Sequence, residues 1–338
     1  MRVQERLDRI FAIGGGPGAN RVHGTPAEDE AHALAAEWLR AAGLDVTVDA
    51  DGNLFGRSSA RPDVWVGSHL DSVPQGGRFD GALGVVAAIE AVERAGAGSV
   101  VVFRGEEVGC VGSRACCGRA RELPSTFLEL HVEQGPVLAD AGVPLGVVSG
   151  IVGYARGEFV LEGREGHAGT TPMAARDDAL VAAAAEILRV RDAALAVEGA
   201  VATVGQVEVE PGGVNVIPAR VRLSLDVRAP DTERLDAVIA GVGFRPRSRV
   251  EPVELRGAAR TALREAIAGA GIEVVELPSG AGHDAGILAA AGVDSAMLFV
   301  RSLNGGISHS PDELSSPEDV ALAVGVLADA LTHVVSAR

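Results

Sequence analysis

Short, almost continuously apolar runs alternate with longer segments of helical periodicity through much of the chain. Such runs occupy residues 64–66, 99–103, 127–130 and 143–148. A short apolar run is typical of a strand buried on both faces, and strands that alternate with helices form mostly parallel sheets. The pattern therefore predicts an α/β domain whose sheet is covered by helices on both faces.

Several boundaries of these elements are marked by capping and turn residues. Residues 25–28, TPAE, have the form of a capping box with proline at the first helical position, so a helix is predicted from there to about Leu39. Residues 44–57 alternate around Asp51-Gly52, which predicts a β-hairpin. The pattern also predicts helices at 81–94, 112–121, 258–269, 283–291 and 317–335, and strands at 272–276 and 295–300.

The pattern changes at about residue 151. Strands with alternating polarity are predicted at 154–161, 200–208, 220–228 and 249–255, and helices are predicted at 173–191 and from Thr232. This β-α-β-β-α-β order is typical of a ferredoxin-like α+β domain. The α/β pattern then resumes, so we expect residues 151–256 to be inserted into a domain made of residues 1–150 and 257–338.

The composition excludes several classes of protein. With 338 residues, of which 47% are hydrophobic, the chain can bury a sizeable core. Its formal charge of −16 argues against binding to a nucleic-acid backbone. All 30 basic residues are arginines. The lack of lysine argues against Schiff-base enzymes, phosphate-loop hydrolases and protein kinases, which normally need one.

Cysteine usage and hydropathy bear on the compartment. Cys110, Cys116 and Cys117 lie close together in odd number, so we expect buried thiols; a redox or zinc site would need a C-x-x-C spacing or a fourth ligand. The N-terminal residues lack a signal-type apolar core, and no apolar run approaches the ~20 residues of a membrane span. We expect a soluble, cytoplasmic protein without membrane or nucleic-acid partners.

Residues 64–84, VWVGSHLDSVPQGGRFDGALG, carry the first candidate site. They place His69, Asp71 and Asp80 in a glycine-rich loop after a strand. Imidazole and carboxylate groups at the carboxyl end of a strand suit a catalytic metal site. Asp71 can hold one ring nitrogen of His69 while the other nitrogen faces a metal. The alternative is a His–Asp hydrogen bond that caps a turn.

Further candidate ligands follow other predicted strands. Glu106 and Glu107 form an adjacent pair, in which one carboxylate could bind a metal and the other act as general base. The alternative is a solvated acidic pair. His131 ends a strand and His309 precedes the last helix, and each alone could be structural. Together these segments supply five nitrogen or oxygen ligands, which suit two metals that share a carboxylate: His69, Asp80, Glu107, His131 and His309.

The remaining histidines have weaker contexts. His32 and His333 fall within helical patterns that lack acidic or glycine-rich neighbours, so we interpret them as packing or surface residues. His23 lies in a loop before the first capping sequence, and its role stays open.

Taken together, these segments resemble one family over nearly the whole chain. The matching runs are GSHLDSVPQGGRFDG, EEVG, ELHVEQGPVL, GIVGYARGE, GHAGTTPM, NVIP, SGAGHDA and GISHSP. They are similar to the amidase/hydantoinase/carbamoylase branch of the dinuclear metallo-aminoacylase and carboxypeptidase superfamily. That branch includes N-carbamoyl-L-amino acid hydrolases, allantoate amidohydrolases and β-ureidopropionases. One departure is that Val108-Gly109 follows the glutamate pair, where the branch usually has a Glu-Glu-Gly run.

The resemblance implies a dinuclear metallohydrolase fold with two divalent ions per subunit, either zinc or manganese, cobalt or nickel. Asp80 would bridge the two ions. His69 and His131 would complete one metal position, and Glu107 and His309 the other. Glu106 would be the general base, with Asp71 supporting the site behind His69.

The resemblance also implies a substrate pocket and a homodimer. The inserted domain would be a lid that forms the dimer and contributes His167, Asn215 and Arg228, of which the first two are candidates for reaching the partner's site. Gln134 and the loop from Gly280 to Asp284, including His283, would line the same pocket. A guanidinium such as that of Arg228 can bind a substrate carboxylate through paired hydrogen bonds, with a surface ion pair as the alternative.

The predicted function is hydrolysis of a linear C–N bond in an N-carbamoyl amino acid or a related ureido acid such as allantoate. A metal-bridged hydroxide would attack the carbonyl, with Glu106 as general base. Hydrolysis of an N-acyl amino acid or a dipeptide is the alternative. A catalytically silent binding protein is a more remote one, because all five candidate ligands and Glu106 are present.

Overall fold

The computed structural model describes residues 2–119 and 123–337 and divides the chain into two compact units. We call Met1–Gly150 together with Glu254–Arg338 the discontinuous unit, and Ile151–Val253 the inserted unit. Within the described residues the helices are α1 Arg2–Phe11, α2 Pro26–Ala41, α3 Ala82–Ala95, α4 Val111–Arg119, α5 Val137–Asp140, α6 Ala179–Leu195, α7 Thr232–Val242, α8 Ala258–Gly269, α9 Asp284–Ala290 and α10 Pro317–Ser336.

The strands of the described residues follow the same chain order. They are β1 Asp45–Val48, β2 Leu54–Arg57, β3 Val64–His69, β4 Ser99–Phe103, β5 Thr126–Val132, β6 Leu145–Ile151, β7 Gly153–Glu162, β8 Gly166–His167, β9 Val201–Thr203, β10 Val207–Glu210, β11 Val216–Ile217, β12 Arg220–Ala229, β13 Ser248–Val250, β14 Val253–Glu254, β15 Glu276–Ser279 and β16 Asp294–Val300. Residues 120 and 121 of the predicted helix 112–121 lie outside the described residues.

The discontinuous unit is built on a sheet with the strand order β1-β2-β4-β3-β5-β16-β6, and β15 also pairs with β6. The central strands β4, β3, β5 and β16 are parallel, whereas β2 and β6 join them antiparallel. Every residue of β3, β4 and β5 is buried. This accounts for their apolar runs and confirms the predicted mixed α/β fold with a mostly parallel sheet.

Helices pack against this sheet in two groups. The helices α3, α8 and α10 pack together over it and share its main apolar core, and α4 packs with α9 against β4, β5 and β16. In the described part of the chain, α10 is the one helix long and apolar enough to cross a membrane. Half of that stretch is buried in the core, which explains its composition without a membrane.

The inserted unit has an antiparallel sheet of its own. Its strand order is β10-β12-β7-β13, and β9 also pairs with β12. The helices α6 and α7 pack on this sheet, around a core that includes Val190, Val227 and Leu235. The element order is the predicted ferredoxin-like one. The strand predicted at 200–208 is instead divided into β9 and β10.

Three further local predictions are wrong in detail. The helix predicted from residue 173 begins only at Ala179, because the Asp178 side chain accepts from the backbone N–H groups of Leu180 and Val181 and so caps it there. Residues 272–275 form no strand, although Ile272 and Val274 pack on the core, and β15 begins at Glu276.

The predicted capping box at the start of α2 is the third. The Thr25 hydroxyl donates to the carbonyl of Val22 at 2.6 Å instead of capping the helix. Glu28 accepts from the backbone N–H of Gly24 at 2.8 Å and forms an ion pair with Arg104. The backbone N–H of Thr25 also donates to the carbonyl of Val22, at 3.1 Å, so neither of the two reciprocal hydrogen bonds of a capping box forms.

Candidate active site

His69 is the last residue of β3, and its imidazole is oriented by Asp71. Nδ1 lies 3.2 Å from the carbonyl oxygen of Asp71 and 3.3 Å from its carboxylate, so Nδ1–H donates and Nε2 keeps its lone pair. Gly81, with φ of +63°, makes room for the ring, because a Cβ atom there would lie 2.4 Å from Cε1 of His69. The imidazole is thereby held with Nε2 toward Asp80.

Asp71 also organises the loop that follows β4. Its two carboxylate oxygens accept from the backbone N–H groups of Glu106 and Glu107, each at 3.1 Å. Burial tends to raise the pKa of Asp71, but the hydrogen bonds from His69 and from these two N–H groups lower it below its usual range. Asp71 therefore remains ionised while it ties β3 to the glutamate pair.

Asp80 lies between two groups of candidate metal ligands. Its Oδ1 is 3.8 Å from Nε2 of His69 and 3.2 Å from Nε2 of His131. Its Oδ2 is 3.3 Å from Nε2 of His309, which in turn is 3.4 Å from Oε2 of Glu107. In each group the possible ligand atoms all lie within 4.8 Å of one another. The two groups share only Asp80, which is the position of a bridging carboxylate.

The unsatisfied atoms of this cluster fit metal ions. Nδ1–H of His131 donates to the carbonyl of Val132 at 3.0 Å, so its Nε2 lone pair also faces Asp80. Among the described residues, Nε2 of His69, Nε2 of His131 and Oε1 of Glu107 are buried and have no hydrogen-bond partner. Lone pairs facing a carboxylate repel it unless a cation lies between them, and this nitrogen and oxygen set suits divalent metals.

The raised pKa values of histidines in this cluster also indicate a site that attracts positive charge. Burial disfavours a charged His69, yet Glu106, Asp71 and Asp80 outweigh it and raise the pKa of His69 well above its usual value. The hydrogen bond to Asp80 raises the pKa of His309 to about 9. The carboxylates thus draw positive charge into the site, whether as protons or as metal ions.

Glu106 lies beside this cluster, between His69 and His283. Its Oε2 lies 3.8 Å from Nε2 of His69, and its Oε1 lies 3.8 Å from Nδ1 of His283. Burial, together with the charges of Asp284 and Glu107, raises its pKa well above the usual value. The Cys110 thiol, one of three free cysteines, donates weakly to Oε1 over 3.9 Å. A buried carboxyl with a raised pKa can both take up and release a proton.

Two predicted pocket residues lie against this cluster. The amide Nε2 of Gln134 donates to Oδ2 of Asp80 and to Oγ of Ser308, both at 3.1 Å. The His283 ring lies 4.5 Å from the His131 ring, and its Nε2 is 2.9 Å from Oγ of Ser279. Gly280 lies on the exposed loop between β15 and α9.

The other three predicted substrate residues lie in the inserted unit. His167, on β8, is exposed, and its Nδ1 accepts from the backbone N–H groups of Gly169 and Thr170. The carbonyl of Asn215 accepts from the N–H of Ala168 at 3.0 Å, so His167 and Asn215 are neighbours. Arg228, on β12, pairs with Asp226 through Nε at 2.8 Å and Nη2 at 3.2 Å.

Several further buried polar residues lie beside the candidate ligands. Glu129 accepts from Oγ of Ser68 at 2.8 Å and from the N–H of Ala285 at 2.9 Å, and burial raises the pKa of neighbouring Asp284 to about 7. Asp284 ends the loop 280–284 that the family resemblance predicts to line the pocket, whereas Glu129 was not predicted, although it lies inside the run ELHVEQGPVL. Glu313 accepts from the backbone N–H groups of Phe79 and Asp80, and the sequence held no comparable signal for it.

Most of these candidate ligands lie at or after the carboxyl ends of parallel strands, at one edge of the sheet. His69 ends β3, Glu106 and Glu107 follow β4, His131 is the last residue but one of β5, and His309 follows β16. The carboxyl edge of a parallel sheet is where α/β enzymes bind ligands. With its cluster of histidines and carboxylates, this unit is that of a metal-dependent hydrolase.

The chain belongs to the Peptidase family M20/M25/M40, whose model matches residues 65–333, and this family is metal-dependent. It is 36% identical to an N-carbamoyl-L-amino acid amidohydrolase of Geobacillus stearothermophilus, over 96% of each chain. It is 30% identical to allantoate deiminase 1 of Glycine max, over 94% of this chain and 86% of the relative. The crystal structure of an amidase of the hydantoinase/carbamoylase family from Burkholderia multivorans superposes with a TM-score of 0.89 and 31% identity, over 98% of this chain and 96% of that one. The resemblance predicted from the sequence is confirmed.

Proposed function

We propose that this protein is a metal-dependent amidohydrolase that cleaves a linear C–N bond of an N-carbamoyl amino acid or a related ureido acid such as allantoate. The observation that carries the proposal is the pair of ligand groups that share Asp80, with Glu106 beside them. The relatives named for this chemistry support the choice of substrate class.

The proposed cofactors are two divalent ions per subunit, zinc or manganese, cobalt or nickel. His69, Asp80 and His131 would hold one ion, and Asp80, Glu107 and His309 the other. When bound, ions of this kind lower the pKa of a coordinated water and polarise a carbonyl group.

Proton transfer is assigned to Glu106. Its Oε2 would take a proton from the attacking water and return it to the leaving nitrogen, a function that its raised pKa favours. Asp71 would hold Glu106 and the ligand His69 in a fixed relative position, because it binds the backbone N–H of Glu106 and the imidazole of His69.

The pocket residues would orient the ureido acid. Among the described residues, Oε1 of Gln134 and Nδ1 of His283 are buried without hydrogen-bond partners, so both are free to bind polar substrate atoms. We propose that Arg228 binds the substrate carboxylate, and that His167, Asn215 and Gly280 also contact the substrate, as the family resemblance implies. Asp226 would hold the Arg228 guanidinium in orientation.

The inserted unit would be a lid that also forms a homodimer. Val181, Leu188 and Leu195 are 64%, 52% and 77% exposed and recur every seven residues along α6, so they form an apolar stripe. Val207, on β10, is also exposed, and β10 ends its sheet. We further propose a cytoplasmic enzyme without nucleic-acid or membrane partners, which the charge of −16 supports.

A substrate panel tests the reaction. Protein reconstituted with each metal is given N-carbamoyl-L-amino acids and allantoate, and ammonia release is measured. Parallel reactions follow amine release from N-acetyl amino acids and dipeptides, because the family model bears a peptidase name. Ammonia from a ureido acid is expected. Amine release from acyl substrates alone would establish the alternative, and no turnover with less than one bound metal equivalent would indicate a binding protein.

A further inference from the structure

Glu313, in the loop between β16 and α10, joins two distant segments of the site. It is only 5% exposed. Its Oε1 accepts from the backbone N–H groups of Phe79 at 2.7 Å and Asp80 at 3.0 Å. Its Oε2 accepts from Oγ of Ser308 at 2.8 Å. One buried carboxylate therefore holds the backbone of Asp80 and the residue that directly precedes His309.

A second set of hydrogen bonds closes this connection into a ring. Gln134 Nε2 donates both to Oγ of Ser308 and to Oδ2 of Asp80, each at 3.1 Å. The ring thus runs from Glu313 through Ser308 and Gln134 to the Asp80 side chain, and back through the Asp80 backbone. Both the position and the orientation of the Asp80 carboxylate depend on it.

The backbone around Glu313 is shaped to receive its carboxylate. A Cβ atom on Gly77 would lie 2.2 Å from the Glu313 carboxylate, so a side chain there would displace it. His309 has φ of +54°, a left-handed conformation that is uncommon outside glycine and needs its surroundings to hold it. The hydrogen bond from Ser308 to Glu313 is one such restraint.

The two ligand groups differ in how firmly their histidines are held. His69 and His131 are buried residues of strands β3 and β5. His309 is on a loop, and its side chain is half exposed. The group formed by Asp80, Glu107 and His309 therefore depends more on loop restraints than the other group does.

We infer that Glu313 is a positioning residue for the proposed metal position at Asp80, Glu107 and His309, because it holds Asp80 directly and His309 through Ser308. The inference rests on the proposed metal site and is independent of the substrate. Residues that orient metal ligands typically change metal affinity by about 10- to 100-fold when they are removed.

Calorimetric titration of metal-stripped protein with Mn²⁺ tests this without any assay of turnover. The binding step lost in the His309→Ala variant identifies the relevant position. At that step, Glu313→Ala should weaken Mn²⁺ binding by about 10- to 100-fold, and Ser308→Ala should weaken it by a smaller factor. The double variant should lose less than the sum of the two single losses, since both substitutions remove the hydrogen bond between Ser308 and Glu313.

Two further variants separate positioning from charge and from folding. Glu313→Gln should bind Mn²⁺ within about 3-fold of the parent, because the amide oxygen can accept from both N–H groups and the amide nitrogen can donate to Ser308. Asp312→Ala removes a carboxylate from an exposed residue of the same loop and should change nothing. If Glu313→Ala fails to fold, Ser308→Ala and Glu313→Gln carry the test.

The outcomes are distinguishable. Unchanged Mn²⁺ binding in Glu313→Ala or in Ser308→Ala, additive losses in the double variant, or an equal loss in Asp312→Ala would overturn the role of Glu313 alone. A parent protein that binds only one Mn²⁺ would overturn the proposed second metal position, and this inference with it.

Discussion

The Asp71 carboxylate lies 3.3 Å from Nδ1 of His69 and accepts the backbone N–H of Glu106 at 3.1 Å. A candidate metal ligand and the candidate base are therefore aligned by the same side chain. The arrangement couples two strands of the parallel sheet, since His69 ends β3 and Glu106 follows β4. The contact between His69 and Asp71 is buried, so bulk water cannot replace it when Asp71 is removed.

Substitution of Asp71 should affect metal binding and turnover together. In Asp71→Asn, an amide N–H₂ group replaces one acceptor oxygen. This donor then faces another donor, either a backbone N–H or the His69 Nδ1–H, so that hydrogen bond is lost. We expect metal affinity to fall by about 10- to 100-fold, with a comparable loss of kcat/KM at limiting metal. Metal content and steady-state rates provide the measurement. Asp45→Asn, on exposed β1, is the matched control, and equal behaviour of the two variants would contradict the role of Asp71.

The adjacent glutamates should give contrasting variants. Glu106→Gln should keep its metal and lose about 100- to 10,000-fold in kcat, because an amide cannot accept the water proton. Glu107→Gln should lose metal as well as turnover, since it removes a candidate ligand. Metal analysis beside kcat separates the two residues. Near-normal turnover in Glu106→Gln, or full metal content in Glu107→Gln, would refute the assignment concerned.

The burial of His32 should make the free energy of unfolding depend on pH. It is 5% exposed on α2, and among the described residues both of its ring nitrogens lack hydrogen-bond partners. Burial, and then the charge of Arg104, lower its pKa from 6.5 to about 3. Between these values the unfolded chain binds a proton that the folded one does not, so stability is complete above pH 6.5 and falls as the pH decreases toward 3.

The expected size of this effect is measurable. From pH 7 to pH 5, His32 should cost about 2 kcal/mol of unfolding free energy, taking about 1.4 kcal/mol per pH unit below 6.5. Urea denaturation of metal-free protein at both pH values should show this loss in the parent and not in His32→Leu. Other groups titrate equally in both proteins. An equal loss in the two proteins would show that His32 becomes protonated without unfolding.

Arg228 should determine recognition of the substrate carboxylate. Arg228→Ala should raise KM by about 10- to 100-fold for a ureido acid, because charge-assisted hydrogen bonds contribute about 1.5 to 3 kcal/mol. For the corresponding carboxamide, which lacks the carboxylate, the KM values of parent and variant should differ far less. Arg156→Ala is the control, since Arg156 pairs with the same Asp226. A similar change in both variants would indicate that loss of the ion pair, rather than of a substrate contact, is responsible.

The apolar stripe on α6 should mediate self-association. Leu188→Asp places a charge at its centre and should convert a dimer to monomers, since burial of an unpaired charge is costly. Sedimentation velocity over a range of protein concentrations measures the change. Val48→Asp, at an exposed apolar position of the discontinuous unit, should leave the dimer intact. A monomeric parent, or a dimeric Leu188→Asp, would contradict the proposed interface.

Elements with strong local signals are predictable from the sequence. Strand β4 has its predicted bounds because apolar residues fill both of its faces, and the hairpin of β1 and β2 forms around the expected turn. The predicted ligand residues follow strands, so they share one edge of a parallel sheet whatever the details of packing. The start of α6 was missed because residues 173–175 are apolar enough to suggest a helix, whereas Asp178 caps the helix at Ala179.

The sequence by itself determined the α/β class, the family and the identity of the candidate ligands, because strand periodicity and short motifs are local properties of the chain. Only the tertiary structure decided how those ligands are divided around Asp80 and how they are held. Glu313 reaches Asp80 across 233 residues of sequence, and Gln134 reaches Ser308 across 174. Such contacts depend on the packing of distant loops, and no periodicity or spacing along the chain encodes them.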